Sequence, residues 1–132
     1  ALEDANAALK KYREFGDKTG ESELMMLVGN LYMDLGKRDL AVDLYNQALK
    51  NWEALKNFHR YAATLNNIGF VHREAGDWEK AFEFQKKALQ IFRDDRPNTR
   101  GEANVLNQIG FYYLAKNDLA DSLKHFQQAV PI

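Results

Sequence analysis

Three histidines and a pair of adjacent aspartates are the side chains of this sequence best suited to hold a metal or move a proton. Their spacing argues against both. His59 and His72 lie thirteen residues apart, roughly 220° around a helix of 3.6 residues per turn, so one helix face cannot present both to a metal. His125 stands far from either, and all three read as packed or surface histidines. Asp94 and Asp95 have no His or Lys arranged beside them as an acid–base pair, and read as loop and surface charge. The absence of cysteine excludes disulfides, thiolate metal sites and a thiol nucleophile. A phosphate-binding glycine loop needs a strand before it, and no strand pattern is present. We therefore expect no catalytic, metal-binding or cofactor-binding residue and no cofactor. Amides remain: Asn66 and Asn67, then Asn107 and Gln108. Asn costs roughly 0.5 kcal/mol against Ala inside a helix, so amides in helical segments need compensation. An amide can donate to and accept from a peptide backbone at once, gripping an extended segment whatever its sequence.

The first pair of amides sits in the stretch Ala62 to Leu89. Tyr61, Leu65, Ile68, His72 and Ala75 recur at steps of four, three, four and three, which places them on one helix face. Gly76-Asp77 breaks that helix. A second begins at Trp78, with Ala81, Phe82, Ala88, Leu89 and Phe92 on one stripe and Phe84 and Ile91 on another beside it. A helix with two apolar stripes is packed on two sides. One hairpin cannot supply both partners, so the segment predicts copies of itself on its flanks.

The copies are present. Aligned on a glycine, residues 27–32 read L-V-G-N-L-Y, 67–72 read N-I-G-F-V-H and 108–113 read Q-I-G-F-Y-Y. Gly29, Gly69 and Gly110 lie 40 and 41 residues apart. A small residue opens each following helix: Ala41, Ala81 and Ser122, with Ala1 as a fourth. Ala8-Leu9, Ala48-Leu49, Ala88-Leu89 and Ala129-Val130 close them, each complete copy keeping twenty residues from its glycine to the final Leu or Val. The glycines should lie where the first helix crosses its partner, faced by Ala41, Ala81 and Ser122, because a larger side chain there would overpack the crossing at ~1–3 kcal/mol.

These landmarks resemble the tetratricopeptide repeat (TPR), whose pattern is L-G-x-x-Y, a G-D-type turn, then A-x-x-x-F/Y-x-x-A. Val28-Gly29 with Tyr32 and Ile109-Gly110 with Tyr113 match it, and His72 stands at the tyrosine position of the second copy. Gly36, Gly76 and Asn117 hold the turn, where a left-handed backbone favours Gly and tolerates Asn. Asp77 and Asp118 follow as N-caps; Lys37 departs from that pattern, so the first copy should open its second helix differently. HEAT-like pairs have similar periods, but the glycine–alanine register favours the TPR. The unit is about six residues longer than the standard 34, similar to the long repeats of spindle and polarity adaptors, kinesin light chains and bacterial regulators.

The resemblance implies an all-α, right-handed solenoid of about seven helices forming one array over 1–132. In it 1–14 is the second helix of a partial repeat, 21–56, 57–93 and 98–130 are three complete repeats, and the whole is a fragment of a longer array. Connecting loops are expected at Phe15 to Gly20 and at Asp94 to Asn98, where Pro97 and a one-residue insertion fall. Asn98 or Thr99 should cap the next helix, and Pro131 should end the last.

Composition agrees with a folded interaction module. Hydrophobic residues make up 45% and aromatic ones 12% of the chain, enough for a core and too much for disorder. Eighteen Lys and Arg against nineteen Asp and Glu give a net charge of −1 without long runs, so no footprint for nucleic acid or an anionic membrane emerges. The longest apolar runs, Leu24 to Val28 and Phe111 to Ala115, hold five residues each, against the ~20 that span a bilayer. No signal-peptide pattern is present, and a cytoplasmic location is expected.

In TPR folds the exposed face of the first helices lines the concave side. The resemblance therefore implies a peptide-binding groove at Asn30, Asn66, Asn67, Phe70, Arg73, Asn107, Gln108 and Phe111, with Met26, Leu27, Met33 and Leu114 at the corresponding positions of other copies. The alternative reading has the amides bonding across to neighbouring helices and Phe70 and Phe111 partly buried between repeats. TPRs that hold chaperone tails resemble one another in a carboxylate clamp of Lys, Asn, Asn, Lys and Arg; at those positions stand Met26, Asn30, Asn67, Asn104 and Gln108. Every positive charge is missing, which disfavours a terminal carboxylate and favours a neutral or mixed peptide, or a partner helix. The expected function is a non-catalytic scaffold that binds a protein or peptide in its groove. Its alternatives are a segment that self-associates through unpaired terminal helices, with Leu2, Ala5 and Leu9 on one bare face, and an effector-sensing part of a bacterial regulator.

Overall fold

The computed structural model describes residues 2–95 and 99–131, which form seven α-helices and no strand. Ala1, Pro97 and Asn98, where the sequence suggests a fourth landmark, a helix break and an alternative cap, lie outside the described residues. The chain divides into two compact units, 1–57 and 58–132. In the first, α1 (Leu2–Phe15) packs on α2 (Lys18–Asp34), and α2 on α3 (Arg38–Ala54). In the second, α4 (Phe58–Glu74) pairs with α5 (Trp78–Asp95), α5 packs on α6 (Arg100–Ala115), α6 pairs with α7 (Leu119–Ala129), and α4 also touches α6.

The turns explain why helices pair at this spacing. Gly36 (φ 75°), Gly76 (φ 88°) and Asn117 (φ 60°) are left-handed, as their residue types predict. In each case the following N–H, from Lys37, Asp77 or Asp118, reaches back to the carbonyl of Tyr32, His72 or Tyr113 at 2.8 to 2.9 Å. That bond closes the end of the helix and reverses the chain. Gly16 (φ 70°) and Lys56 (φ 56°) make the same closure, through Asp17 N–H to Tyr12 and Asn57 N–H to Trp52. Asp77, Asp118 and Thr99 cap the helices after them, accepting from the N–H groups of Lys80, Asp121 and Glu102. Lys37 caps α3 without a side-chain bond, so that helix does open differently.

Two expected loops are shorter than the sequence suggests. Phe15 still belongs to α1 and Lys18 already to α2, because the Asp17 carboxylate accepts from Gly20 N–H at 2.9 Å and starts the helix early. Asp94 and Asp95 form the last turn of α5 instead of a loop, with Gln90 Nε2 donating to Asp94 one turn on at 2.9 Å. Leu9 is buried where α1 packs on α2, so that part of the α1 face is not bare.

The repeat glycines sit in close crossings, though the small residues are only part of the reason. A Cβ on Gly29 would come within 2.6 Å of the Tyr45 ring, and one on Gly110 within 2.7 Å of the Phe126 ring. At Gly69 it would meet the Ala81 carbonyl at 3.1 Å and Gln85 at 3.2 Å. Tyr45, Gln85 and Phe126 each follow their glycine by sixteen residues. At Gly29 and Gly110 the principal occupant of the crossing is therefore that aromatic ring, whereas at Gly69 the Ala81 backbone lies nearest. Ala41, Ala81 and Ser122 are buried, and Ser122 Oγ donates to the Gly110 carbonyl at 2.9 Å.

A second repeated device is electrostatic. Arg13 Nε donates to the nearly buried Glu21 carboxylate at 3.0 Å and its Nη2 to Gln47 at 3.3 Å. Arg93 does the same with Glu102 at 3.0 Å and Gln128 at 3.2 Å. One guanidinium thus ties three helices within each unit. The residues at the same positions of the intervening repeat are Glu53, Tyr61 and Lys87. Replacing Gly110 with Leu should lower stability by about 1–3 kcal/mol through overpacking against Phe126, measured by urea unfolding. An unchanged midpoint would mean that the crossing can open without cost.

Candidate functional site

Within the second unit, burial fixes which faces of α4 and α6 remain available. Leu65, Ile68 and Val71 on α4 and Val105, Leu106 and Ile109 on α6 fill the core. Helical periodicity then turns Asn66, Asn67, Phe70 and Arg73, with Asn104, Asn107, Gln108 and Phe111, to another face. They line two hollows. The first, about 290 Å³, is walled by the five amides with Phe70 and Phe111. The second, about 510 Å³, is walled by Arg73, Glu74, Trp78, Phe111, Leu114 and Ala115, so Phe111 belongs to both.

Arg73 stands between three rings. Its guanidinium carbon lies 4.8 Å from the centre of Phe70, 5.6 Å from Phe111 and 5.8 Å from Trp78. The negative faces of the rings favour a cation there. Nη1 donates to Gln108 Oε1, joining α4 to α6, and Nη2 lies 3.8 Å from the half-exposed carboxylate of Glu74. Only 16% of the Arg73 side chain is exposed. Its planar fork carries five N–H donors, more than these partners use.

The amides divide between the two roles that the sequence left open. Gln108 bonds across to the neighbouring helix. Asn66 does not: its Oδ1 is buried and accepts nothing. Phe70 and Phe111 are both partly exposed, and Phe111 meets Phe126 edge-on at 5.2 Å. In the first unit Asn30 serves the core, since the Tyr45 hydroxyl donates to its Oδ1. Burial, reinforced by the charge of Asp34, pushes the Tyr45 hydroxyl up to about 12, so it stays a donor at any ordinary pH. Trp78 and Glu74 are the site residues that sequence reasoning missed; a Trp directly after the G-D turn, beside the last turn of α4, was the available signal.

The histidines are packing residues. His59 meets Phe92 edge-on at 5.1 Å, His72 stacks on Phe84 at 5.4 Å and His125 stacks on Tyr113 at 5.1 Å. Burial, with Lys80 adding to it, holds His72 below the usual imidazole range, against the opposing charge of Asp77. Among the described residues no three His, Cys, Asp or Glu side chains cluster as a metal would require.

A family model described as tetratricopeptide repeat matches residues 60–132, and a second of the same description matches 22–51. The chain belongs to the tetratricopeptide-repeat family. The TPR chain is 31% identical to the protein STIP1 homolog of Dictyostelium discoideum over 98 residues, 74% of this chain and 17% of that protein. It is 33% identical to the uncharacterized protein ycf37 of Guillardia theta over 85 residues, 64% of this chain and 43% of that protein. It therefore spans less than half the length of either relative. Among solved structures, BtubC of P. vanneervenii superposes with a TM-score of 0.84 at 20% identity, over 98% of this chain and 54% of that one. NprR in complex with its cognate peptide NprX superposes with a TM-score of 0.84 at 16% identity, over 99% and 38% respectively. At such identities the likeness is one of TPR fold.

The two roles of the amides can be separated by stability. Asn30→Ala should cost about 1–2 kcal/mol because it strands the Tyr45 hydroxyl. Asn67→Ala, on the open face, should stay within about 0.5 kcal/mol of wild type. Equal losses in chemical unfolding would remove the distinction.

Proposed function

We propose that this chain is a non-catalytic interaction module that receives an extended peptide or a helix on the α4–α6 face. One observation carries the reading: α4 and α6 together bring five amides, with Phe70 and Phe111, around one hollow. A bound segment's backbone N–H and C=O groups can each find a partner among such side chains. Asn67, Asn104 and Asn107 add further paired donors and acceptors around the same hollow. Phe70 and Phe111 supply the apolar contact beside them. The peptide in the NprR structure supports a peptide ligand for this TPR fold as well. No helix among the described residues is long and apolar enough to cross a membrane.

Panning a displayed library of random peptides against the chain tests this. Asn66→Ala and Asn107→Ala should each weaken the enriched peptides about tenfold, the size of one or two lost hydrogen bonds, while neither lowers the thermal unfolding temperature. A library that yields no binder, or variants that fail to fold, would remove the reading.

Self-association is a second reading, favoured by α7, where Leu119 and Leu123 lie one turn apart and are 64% and 56% exposed. Sedimentation across a range of concentrations should then show dimers that Leu123→Glu abolishes. A monomer at every concentration excludes it.

A further inference from the structure

Beyond backbone capture, we infer that the hollow around Arg73 selects partners by a carboxylate side chain, so that the bound segment carries Asp or Glu next to the stretch held by the amides. This rests on the peptide-binding reading and adds a specificity determinant to it. Arg73 is the one cation among the described residues lining the two hollows. Its charge is poorly spent, because Gln108 is neutral and the Glu74 carboxylate stands 3.8 Å away and half in solvent. The rings of Phe70, Phe111 and Trp78 hold the guanidinium in place, so little side-chain freedom is lost when an acceptor arrives. The low exposure of the Arg73 side chain strengthens a charge-assisted pair relative to one between fully solvated groups. The second hollow is wide enough for an acidic side chain with its apolar stem against Leu114 and Ala115. Phe111 lines both hollows, so they adjoin.

The same random peptide library, panned on the intact chain, provides the probe. Enriched peptides should share an Asp or Glu at one fixed position, and its replacement by Asn or Gln should weaken binding about tenfold. Arg73→Gln should erase that difference, and Arg73→Lys should restore part of it by keeping the charge without the planar fork. Glu74→Gln should tighten acidic peptides by removing a competing carboxylate. Added salt should weaken binding to wild type and leave Arg73→Gln little changed. Enriched peptides that depend on Asn66 and Asn107 but show no acidic preference would overturn this inference and leave the peptide-binding reading standing. A library without binders would overturn both.

Discussion

Everything in this fold depends on how closely two helices can approach when one of them lacks a Cβ. Gly29 and Gly110 lie beneath a ring sixteen residues further along, Tyr45 and Phe126, and Gly69 beneath the Ala81 carbonyl and Gln85. That contact sets the depth of each pairing and brings Ala41, Ala81 and Ser122 into the core. The turn closures then fix where the second helix starts, and the first helix is left with one side for the core and another for solvent. The α4–α6 surface is a by-product of that geometry: its residues are those the crossing does not use.

Helix pairing was legible because it obeys period and turn chemistry, both local. The steps from Tyr61 to Ala75 and the residues Gly36, Gly76 and Asn117 carried that signal directly. Less legible was whatever depends on partners distant in sequence. The closure at Lys56 was hidden because a lysine in the left-handed region has no compositional mark. The early start of α2 was hidden because Asp17 reads as a loop residue until its bond to Gly20 is seen. The Arg13–Glu21–Gln47 and Arg93–Glu102–Gln128 ties join three helices each, and no spacing rule within one helix could announce them.

The site divided along the same line. Which residues of α4 and α6 share a face followed from counting, and the structure brings Asn66, Asn67, Phe70, Arg73, Asn107, Gln108 and Phe111 around adjoining hollows. What each amide does could not be counted. Asn30 stands one residue after its repeat glycine and Asn66 three before its own; the Tyr45 hydroxyl donates to the one, while the buried oxygen of the other accepts nothing. Counting fixes a register but not the donor that faces it. Tyr45 reaches Asn30, but in the next repeat Phe70 holds the place of Asn30 and Gln85 the place of Tyr45.

The empty acceptor on Asn66 has an evolutionary side. A buried oxygen without a donor lowers stability by about 1–3 kcal/mol, a sizeable share of the margin that keeps a small domain folded. Selection for robustness alone would drift that position towards leucine. This asparagine should therefore be among the first letters of the gene to change wherever robustness alone is selected.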